Sequence, residues 1–238
     1  MMQKNTVKII KRELIATNTM LLTVSRPAGW QYQAGQFTNI ILPNTVVPDD
    51  RGGIRSMSLA SAPRETDLLF LMRISKSGFK QTLYRQPAGW KFDITPAVGR
   101  WLWPQDKKPV IFLVGGIGIA PVRSLLVQAS KDKQDNRSLF LFYANHTQDG
   151  SPWLGMWQNW SAVDWHFVPT MTRLAKKDSW AGERGYFSVD MIQKYWRDDH
   201  QAWYYVVGPQ RFVRDMKQLL YKLNISPERI KVEEFFGY

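Results

Sequence analysis

Three closely spaced glycines, Gly115, Gly116 and Gly118, are the residues whose types and spacing point most directly to chemistry. They follow an apolar run, Val110–Val114, and precede Pro121 and an apolar pattern with helical spacing. This order predicts a buried strand, a glycine turn and a helix. Such a turn lets the backbone approach a phosphate, and the free N–H groups at the start of the helix attract an anion. The spacing is not that of the GxGxxG fingerprint, so a strand-to-helix turn without a ligand is the alternative.

Cysteine is absent from the 238 residues, and this limits the chemistry of the chain. Its absence excludes disulfides, thiol catalysis and thiolate-bound zinc or iron–sulfur clusters. The three histidines, His146, His166 and His200, are far apart and form no metal-binding motif. Redox chemistry would therefore use an organic cofactor, or a metal that belongs to a partner.

The formal net charge is +12, and the basic residues are scattered without a long basic tract. A positive field of this size attracts nucleic-acid phosphates, acidic proteins or anionic small molecules. The alternative is that the protein simply has a generally basic surface and that its charge serves no specific partner. No apolar run is long enough to cross a bilayer, and the first residues are too polar for a signal peptide. We therefore expect a soluble, cytoplasmic protein without membrane insertion.

The N-terminal part of the sequence contains short strand-like runs separated by Pro, Gly, Asn or Asp. These runs are Thr6–Ile10, Met20–Val24, Phe37–Leu42, Arg55–Ala60, Leu68–Ile74 and Trp90–Thr95. Many short strands at close spacing favour an antiparallel barrel or sandwich. A candidate short helix, Gly78–Gln86, lies within this region.

After residues 105–109 the pattern changes to strand-like runs that alternate with helical segments. The runs are Val110–Val114, Ser138–Tyr143, Asp164–Pro169 and Trp203–Val207, and the helices follow Pro121, Pro152, Ser188 and Pro209. Such alternation predicts an α/β domain with a doubly wound parallel sheet. We therefore predict two domains, an antiparallel β-barrel over residues 1–106 and the α/β domain over residues 107–238.

Three tryptophans in the second domain, Trp153, Trp157 and Trp160, fall at helical spacing. The spacing predicts a helix whose aromatic face packs on the sheet. A partner-binding surface is the alternative.

Four motifs, spread over both predicted domains, carry a family resemblance. They are RSMSLASAP at Arg55–Pro63, GGIGIAP at Gly115–Pro121, VGP at Val207–Pro209 followed by Met216, and IKVEEFFGY at Ile230–Tyr238. In this order they resemble the flavin motif, the nicotinamide-nucleotide turn, the second nucleotide motif and the tail of the ferredoxin–NADP reductase superfamily. The tail is similar to that of a bacterial stand-alone branch, and the resemblance covers nearly the whole chain.

The resemblance implies that FAD binds on the barrel, at the cleft between the two domains. Arg55 would contact the flavin pyrophosphate, since a guanidinium fork matches phosphate oxygens. Ser58 is a candidate catalytic residue, which would hydrogen-bond near the flavin nitrogen that accepts hydride. Ser56 and Arg73 are further candidate flavin-binding residues. Met57 stands where the family usually has a tyrosine on the flavin, and it offers a polarizable contact without a phenol.

The segment Gly78–Thr82 lies where the family caps the flavin pyrophosphate with the N-terminus of a helix. It adds Lys80, Gln81 and Thr82 to the candidate flavin-binding residues. Lys80 stands where a hydroxyl is usual, and its charge could neutralise phosphate; a surface turn is the alternative. Because these contacts are of the pyrophosphate type, FAD is favoured over FMN.

The resemblance also implies a nicotinamide-nucleotide site on the second domain. The glycines Gly115, Gly116 and Gly118 would approach the pyrophosphate of the nucleotide. Gly208 and Pro209 would form the opposite wall, near the nicotinamide.

Two further residues follow strand-like runs of this domain. His146 lies where the family binds the adenosine ribose, and Arg173 would meet a 2′-phosphate. A purely structural role is the alternative for each. Ile117 replaces the threonine of many NADP-linked members, so the choice between NADH and NADPH stays open, and the cosubstrate is written NAD(P)H.

The tail contains a Glu-x-aromatic pattern at Glu233 and Phe235. In the family the carboxylate helps relay protons, which makes Glu233 a candidate catalytic residue. The aromatic ring covers the other flavin face, and Phe235 is the expected ring, with Phe236 and Tyr238 as alternatives. A strand that ends in core phenylalanine is the structural alternative.

Together these features predict an NAD(P)H-dependent flavin oxidoreductase that passes electrons to a separate acceptor. An acidic carrier such as ferredoxin or flavodoxin would be attracted by the basic surface. Two alternatives stay open. One is a reductase of a small diffusible acceptor such as free flavin, a ferric chelate or a quinone. The other is a basic nucleic-acid-binding module that has kept the fold, although the intact glycine turns argue against nucleic acid.

Overall fold

The structure, a computed structural model, describes residues 3–130, 135–161, 164–197 and 201–235. The chain divides into two compact units, each built on a six-stranded sheet. Unit 1 comprises Met1–Trp103 with Ala120–Lys131, and unit 2 comprises Pro104–Ile119 with Asp132–Tyr238. An antiparallel sheet comes first and a parallel sheet with helices second, so the predicted fold class is confirmed.

Unit 1 is an antiparallel sheet that closes on itself. Its strands are β1 (Asn5–Ala16), β2 (Thr19–Val24), β3 (Phe37–Ile41), β4 (Ile54–Ser58), β5 (Leu68–Arg73) and β6 (Lys91–Ile94). Their order is β4-β3-β6-β1-β2-β5, and an antiparallel bridge between Leu59 and Phe70 connects the two outer strands. The inward-facing side chains, among them Ile9, Leu22 and Ile40, are buried in one apolar cluster. Closure removes the open sheet edges that would otherwise invite pairing with other chains.

Two helices belong mainly to this unit. The first, α1 (Gly78–Arg85), lies between β5 and β6 in the chain, where a helix was predicted. The second, α2 (Ile119–Ala129), is held to the segment after β4 by side-chain contacts. The Ser124 hydroxyl donates to the Ser61 carbonyl at 2.6 Å, and Arg123 pairs with both carboxylate oxygens of Glu65 at 2.9 Å.

Unit 2 is a parallel sheet whose strand order reverses once. Its strands are β7 (Val110–Gly115), β8 (Leu139–Asn145), β9 (Trp165–Met171), β10 (Glu183–Arg184), β11 (Trp203–Pro209) and β12 (Ile230–Phe235). Their order is β10-β9-β8-β7-β11-β12, and every neighbouring pair is parallel. The chain runs outward from β7 to β10 and then returns to β11 on the other side of β7. In such sheets ligands bind beside the carboxyl ends of the strands at the reversal, which here are those of β7 and β11.

The described residues of unit 2 also form three α-helices: α3 (Leu154–Gln158), α4 (Val189–Tyr195) and α5 (Gln210–Lys222). Of the three tryptophans with helical spacing, only Trp157 lies within a helix, because Trp153 has a left-handed φ of 57° and α3 begins after it. Trp157 is fully buried, so the prediction of a core role holds for that residue. Trp160 follows the helix and packs its ring against Trp157, with centroids 5.2 Å apart.

Helix length bears on whether the protein could cross a bilayer. Within the described residues, no helix is both long and apolar enough to do so.

Candidate functional site

The glycine turn lies at the carboxyl end of β7, as the sequence predicted. Gly115 is the last residue of β7, a single 3-10 turn spans Gly116–Gly118, and α2 begins at Ile119. Gly116 has a φ of +56°, and a Cβ built on it would meet no atom within 4 Å. A left-handed residue beside open space is a position where glycine lets a ligand approach the backbone.

At the neighbouring glycines, a Cβ would meet protein atoms. A Cβ on Gly118 would lie 2.7 Å from the carbonyl oxygen of Val207, so the turn rests directly on β11. Cβ atoms on Gly115 and on Gly208 would each lie 2.9 Å from the ring of Phe212. These three glycines therefore hold the ends of β7 and β11 close together, with Pro209 completing β11.

His146 and Arg173 lie at the same edge of the sheet, just after β8 and β9. The His146 Nδ1 is 3.0 Å from the Thr172 hydroxyl, and the Arg173 N–H donates to the His146 carbonyl at 3.0 Å. Both side chains are exposed. This backbone hydrogen bond joins the two loops. It places the imidazole of His146 and the guanidinium of Arg173 at the carboxyl edge of the parallel sheet.

Asn145, the last residue of β8, is a polar residue that the sequence analysis did not single out. It is only 5% exposed, and its side-chain oxygen and nitrogen have no hydrogen-bond partner in the part of the chain described. A buried, unpaired amide is costly, so a water or ligand atom at this edge would stabilise it. The sequence signal was a single polar residue at the end of an otherwise apolar strand.

The last strand, β12, brings the two tail candidates to the same edge. Glu233 is paired with Val207 and Phe235 with Pro209 in the parallel register of β12 and β11. Both are partly buried. The alternatives Phe236 and Tyr238 lie outside the described residues.

On unit 1, the candidates Ser56, Met57 and Ser58 follow one another on β4. The Ser56 hydroxyl donates to Asn39 Oδ1 across the strand pair at 2.6 Å. Met57 is half-buried against the barrel core, and Ser58 is buried at the end of the strand. Arg73 lies at the end of β5, where its guanidinium donates to the Thr17 carbonyl at 2.9 Å.

Arg55 belongs to a cluster of polar groups at the N-terminus of α1, and its centre is Asp49. One carboxylate oxygen of Asp49 accepts from the Phe79 N–H at 2.8 Å and from the Ser77 hydroxyl at 2.7 Å. The other accepts from the Arg51 N–H at 3.0 Å and forms an ion pair with Arg55. Only 4% of the Asp49 side chain and 13% of the Arg55 side chain are exposed. The sequence made Arg55 a candidate, whereas no pattern in it pointed to Asp49.

Three more candidates lie on α1 next to this cluster. Burial, together with the positive charges of Arg55 and Arg51, lowers the pKa of Lys80. The Gln81 side chain donates to the Ser75 carbonyl at 2.6 Å. The buried Thr82 hydroxyl donates to the Gly78 carbonyl at 2.8 Å.

These surroundings test whether the residues present suit a phosphorylated flavin. The cluster already holds an oxyanion, the Asp49 carboxylate, with backbone, hydroxyl and guanidinium donors. These are the donor types that bind phosphate. The cluster contains three basic side chains, those of Arg51, Arg55 and Lys80, and one buried carboxylate, that of Asp49. Its residues therefore fit an added anionic group.

The Asp49 carboxylate makes the free energy of unfolding depend on pH. Burial alone would raise the pKa of Asp49, but the hydrogen bonds from Phe79, Ser77 and Arg51 and the contact with Arg55 lower it well below its ordinary value. A lowered folded-state pKa contributes stability above the unfolded-state pKa, and this stability is lost as the pH falls below about 4.

We therefore expect the free energy of unfolding of the wild type to fall more steeply than that of Asp49→Asn between about pH 4 and pH 2. Urea unfolding followed at a series of pH values measures both slopes. Parallel pH dependences for the two proteins would contradict the assigned role of Asp49.

Across residues 3–130, 135–161, 164–197 and 201–235, no group of three His, Asp or Glu side chains could hold a metal ion.

Comparison with known proteins bears on both units. A family profile described as the oxidoreductase NAD-binding domain matches residues 112–218, which include the glycine turn and β11. Reductase component 2 of terephthalate 1,2-dioxygenase from Comamonas sp is 32% identical over 133 residues, covering 54% of this chain and 38% of the relative. A component of the Na(+)-translocating NADH-quinone reductase of Pasteurella multocida is 23% identical over 201 residues, covering 77% of this chain and 49% of the relative. The chain thus spans half or less of the length of these relatives.

The fold has counterparts among solved structures. A ferredoxin NADP+ reductase from Neisseria gonorrhoeae with bound FAD and NADP superimposes with a TM-score of 0.82 at 18% identity, covering 98% of this chain and 99% of that chain. The profile and the sequence relatives show similarity to an oxidoreductase NAD-binding domain and to reductase components, and the solved structure shows that the predicted fold is shared.

Proposed function

We propose that the protein is an NAD(P)H-dependent flavin oxidoreductase. It would accept hydride from NAD(P)H onto FAD and pass the electrons to a separate acceptor. The observation that carries the proposal is the glycine turn after β7, with its open left-handed Gly116, inside the segment that matches the oxidoreductase NAD-binding domain. The bound FAD and NADP of the Neisseria reductase, and the names of the dioxygenase and quinone reductase components, support the same chemistry.

The residues of unit 2 would bind and orient the nicotinamide nucleotide. Gly116 leaves room for a phosphate beside the backbone, and Arg173 offers a cation to a 2′-phosphate. His146 would contact the ribose, and the end of β11 at Gly208 and Pro209 would position the nicotinamide. Such positioning supplies much of the rate when two reactants must meet in one orientation.

The residues of unit 1 would hold the flavin. When bound, FAD would supply the chemistry that takes up the two electrons of a hydride together and releases them one at a time. Arg55 and Lys80 would neutralise its phosphates, and Ser58 would hold a hydrogen bond near the nitrogen that accepts hydride. On β12 of unit 2, Phe235 would cover the flavin ring and exclude water, and Glu233 would hold or release a proton, as the family resemblance implies.

The net charge of +12 supports an acidic electron carrier, of the ferredoxin or flavodoxin type, as the acceptor. Attraction between opposite charges speeds encounter, and salt screens that attraction. We expect electron transfer from the reduced protein to such a carrier to slow by about tenfold or more between low and high ionic strength.

Stopped-flow reduction of a ferredoxin or flavodoxin at a series of salt concentrations measures this dependence. Reduction of an uncharged acceptor such as benzoquinone by the same protein is the control for salt effects on the flavin itself. Carrier reduction that does not depend on salt would count against an acidic protein acceptor.

A second candidate is a reductase of small diffusible acceptors such as free flavin, ferric chelates or quinones. Two observations favour it. Met57 offers the flavin no aromatic ring, and the donors of Arg55 are bound within the protein. Both would weaken flavin binding, and a weakly bound flavin can leave as a product.

One purification distinguishes these candidates. The protein is isolated, its bound flavin is extracted and identified by mass, and oxidation of NADH and of NADPH is followed with protein carriers, free flavin, ferric chelates and quinones. The proposal requires flavin-dependent oxidation of at least one nicotinamide cofactor. A protein that neither retains nor takes up flavin would overturn it.

A further inference from the structure

The segment before β4 covers the N-terminus of α1. A Cβ on Gly78 would lie 2.3 Å from the Val47 carbonyl oxygen and 2.9 Å from the Pro48 carbonyl oxygen, so the segment touches the first residue of the helix. The Val46 N–H donates to the Thr82 hydroxyl at 2.8 Å, which fixes the segment one turn further along. We call residues 46–53 the cover segment.

The cover segment and the first residue of β4 accept hydrogen bonds from Arg55. Nη1 of Arg55 donates to the carbonyl oxygens of Arg51, Gly52 and Ile54 at 2.7, 2.9 and 2.7 Å. Nη2 contacts the Asp49 carboxylate, and the guanidinium carbon lies 5.4 Å from the centre of the Phe79 ring. In this conformation the guanidinium is directed at the protein's own segment.

Asp49 presents the same chemistry as a phosphate oxyanion. Its two oxygens take the Phe79 N–H, the Ser77 hydroxyl and the Arg55 guanidinium, which are the donor types that a phosphate prefers. A phosphate brought to Arg55 would therefore compete with this carboxylate for the same donors. The carboxylate and the phosphate are both negative, so they repel each other when they lie close together around the same donors.

We propose that Asp49 is an affinity-determining residue whose carboxylate competes with the phosphate of a bound flavin for Arg55 and for the N-terminus of α1. The inference rests on the proposed function, because it takes a flavin phosphate to be the ligand of Arg55. It adds that binding requires the cover segment to release Arg55. Phosphorylated flavins then bind more weakly than the donors alone would allow, and flavin can exchange.

The test compares Asp49→Asn with Asp50→Asn. Both substitutions remove one negative charge from the cover segment, but Asp50 is exposed and the side chain of its neighbour Asp49 is buried. Titration with FAD, FMN and riboflavin, followed by flavin fluorescence, gives the dissociation constants. We expect Asp49→Asn to tighten FAD and FMN by about tenfold, the scale of one charge-assisted hydrogen bond. Asp50→Asn should change them little, and riboflavin, which has no phosphate, should bind all three proteins alike.

A wild-type measurement covers the case in which Asp49→Asn does not fold. Hydrogen exchange of the Arg51 and Gly52 amides, both bonded to Asp49, is compared with and without FAD. We expect FAD to make these amides exchange faster, because the segment is displaced. Unchanged or slower exchange on FAD binding, or equal or weaker FAD binding by a folded Asp49→Asn, would overturn the inference while leaving the proposed function intact. Failure of the wild type to bind any flavin would overturn both.

Discussion

Arg55→Ala is expected to abolish tight flavin binding and to lower the free energy of unfolding by about 3 kcal/mol, because it leaves a buried carboxylate without its cation. Asp49 is 4% exposed and paired with Arg55, so removing the guanidinium leaves a buried carboxylate without its ion-pair partner. The same substitution removes the cation that we assign to the flavin phosphate. Urea unfolding measures the first effect and flavin titration the second.

A double-mutant cycle separates these two effects. Asp49→Asn added to Arg55→Ala should restore much of the stability, since the orphaned charge is gone, but it should not restore flavin affinity. Arg123→Ala is the matched control, because Arg123 is similarly buried, at 14% exposure, and also pairs with a carboxylate of unit 1. Arg123→Ala should destabilise the protein and leave flavin affinity unchanged. If Arg55→Ala retained wild-type flavin affinity, Arg55 would not be the phosphate ligand.

Gly116→Ala is expected to raise the KM for NAD(P)H by about tenfold or more, a loss of at least ~1.4 kcal/mol of binding. The new methyl group would meet no protein atom, but it would occupy the open space where we place a phosphate of the nucleotide. The left-handed φ of 56° adds about 1 kcal/mol of strain to the folded state. Steady-state kinetics with NADH and NADPH give the change in KM.

Substitutions at two other glycines distinguish an effect on nucleotide binding from an effect on the stability of the fold. Gly29→Ala is the matched control, because Gly29 has a φ of +72° and the same open surroundings but lies on unit 1. It should lose similar stability and keep the wild-type KM. Gly118→Ala should instead destabilise the fold itself by about 1–3 kcal/mol, since its Cβ would press on the backbone of β11. Equal changes in KM for Gly116→Ala and Gly29→Ala would remove the turn from the nucleotide site.

Most of the sheet architecture was accessible from the sequence because strand periodicity is local. The main difference is β1, which was predicted to end at Ile10 and continues to Ala16. Its pairing with β2 has register irregularities between Ile9 and Lys11 and between Leu14 and Ala16. Such bulges interrupt the alternation of apolar and polar residues on which strand prediction depends. The helix at the tryptophans was predicted to be longer than it is for a comparable reason. The spacing of residues does not indicate that the backbone of Trp153 is left-handed.

The two parts of the candidate site differ in how far the sequence could predict them. The candidates of unit 2 follow parallel strands, so the order of strands and turns alone gathers Gly116, His146 and Arg173 at one edge. Asp49 is different, since its contacts to Ser77 and Phe79 join residues 28 and 30 positions apart through an irregular segment. No periodicity encodes such a contact, and only the fold shows it.

Anaerobic mixing of the FAD-loaded protein with one equivalent of NADPH, or of NADH, tests the central claim most directly. The account predicts that the visible absorbance of the oxidised flavin is lost with at least one of the two cofactors. It also predicts that deuterium at the transferred position of the nicotinamide slows that loss. Bound FAD that stays oxidised in the presence of both cofactors would contradict the account.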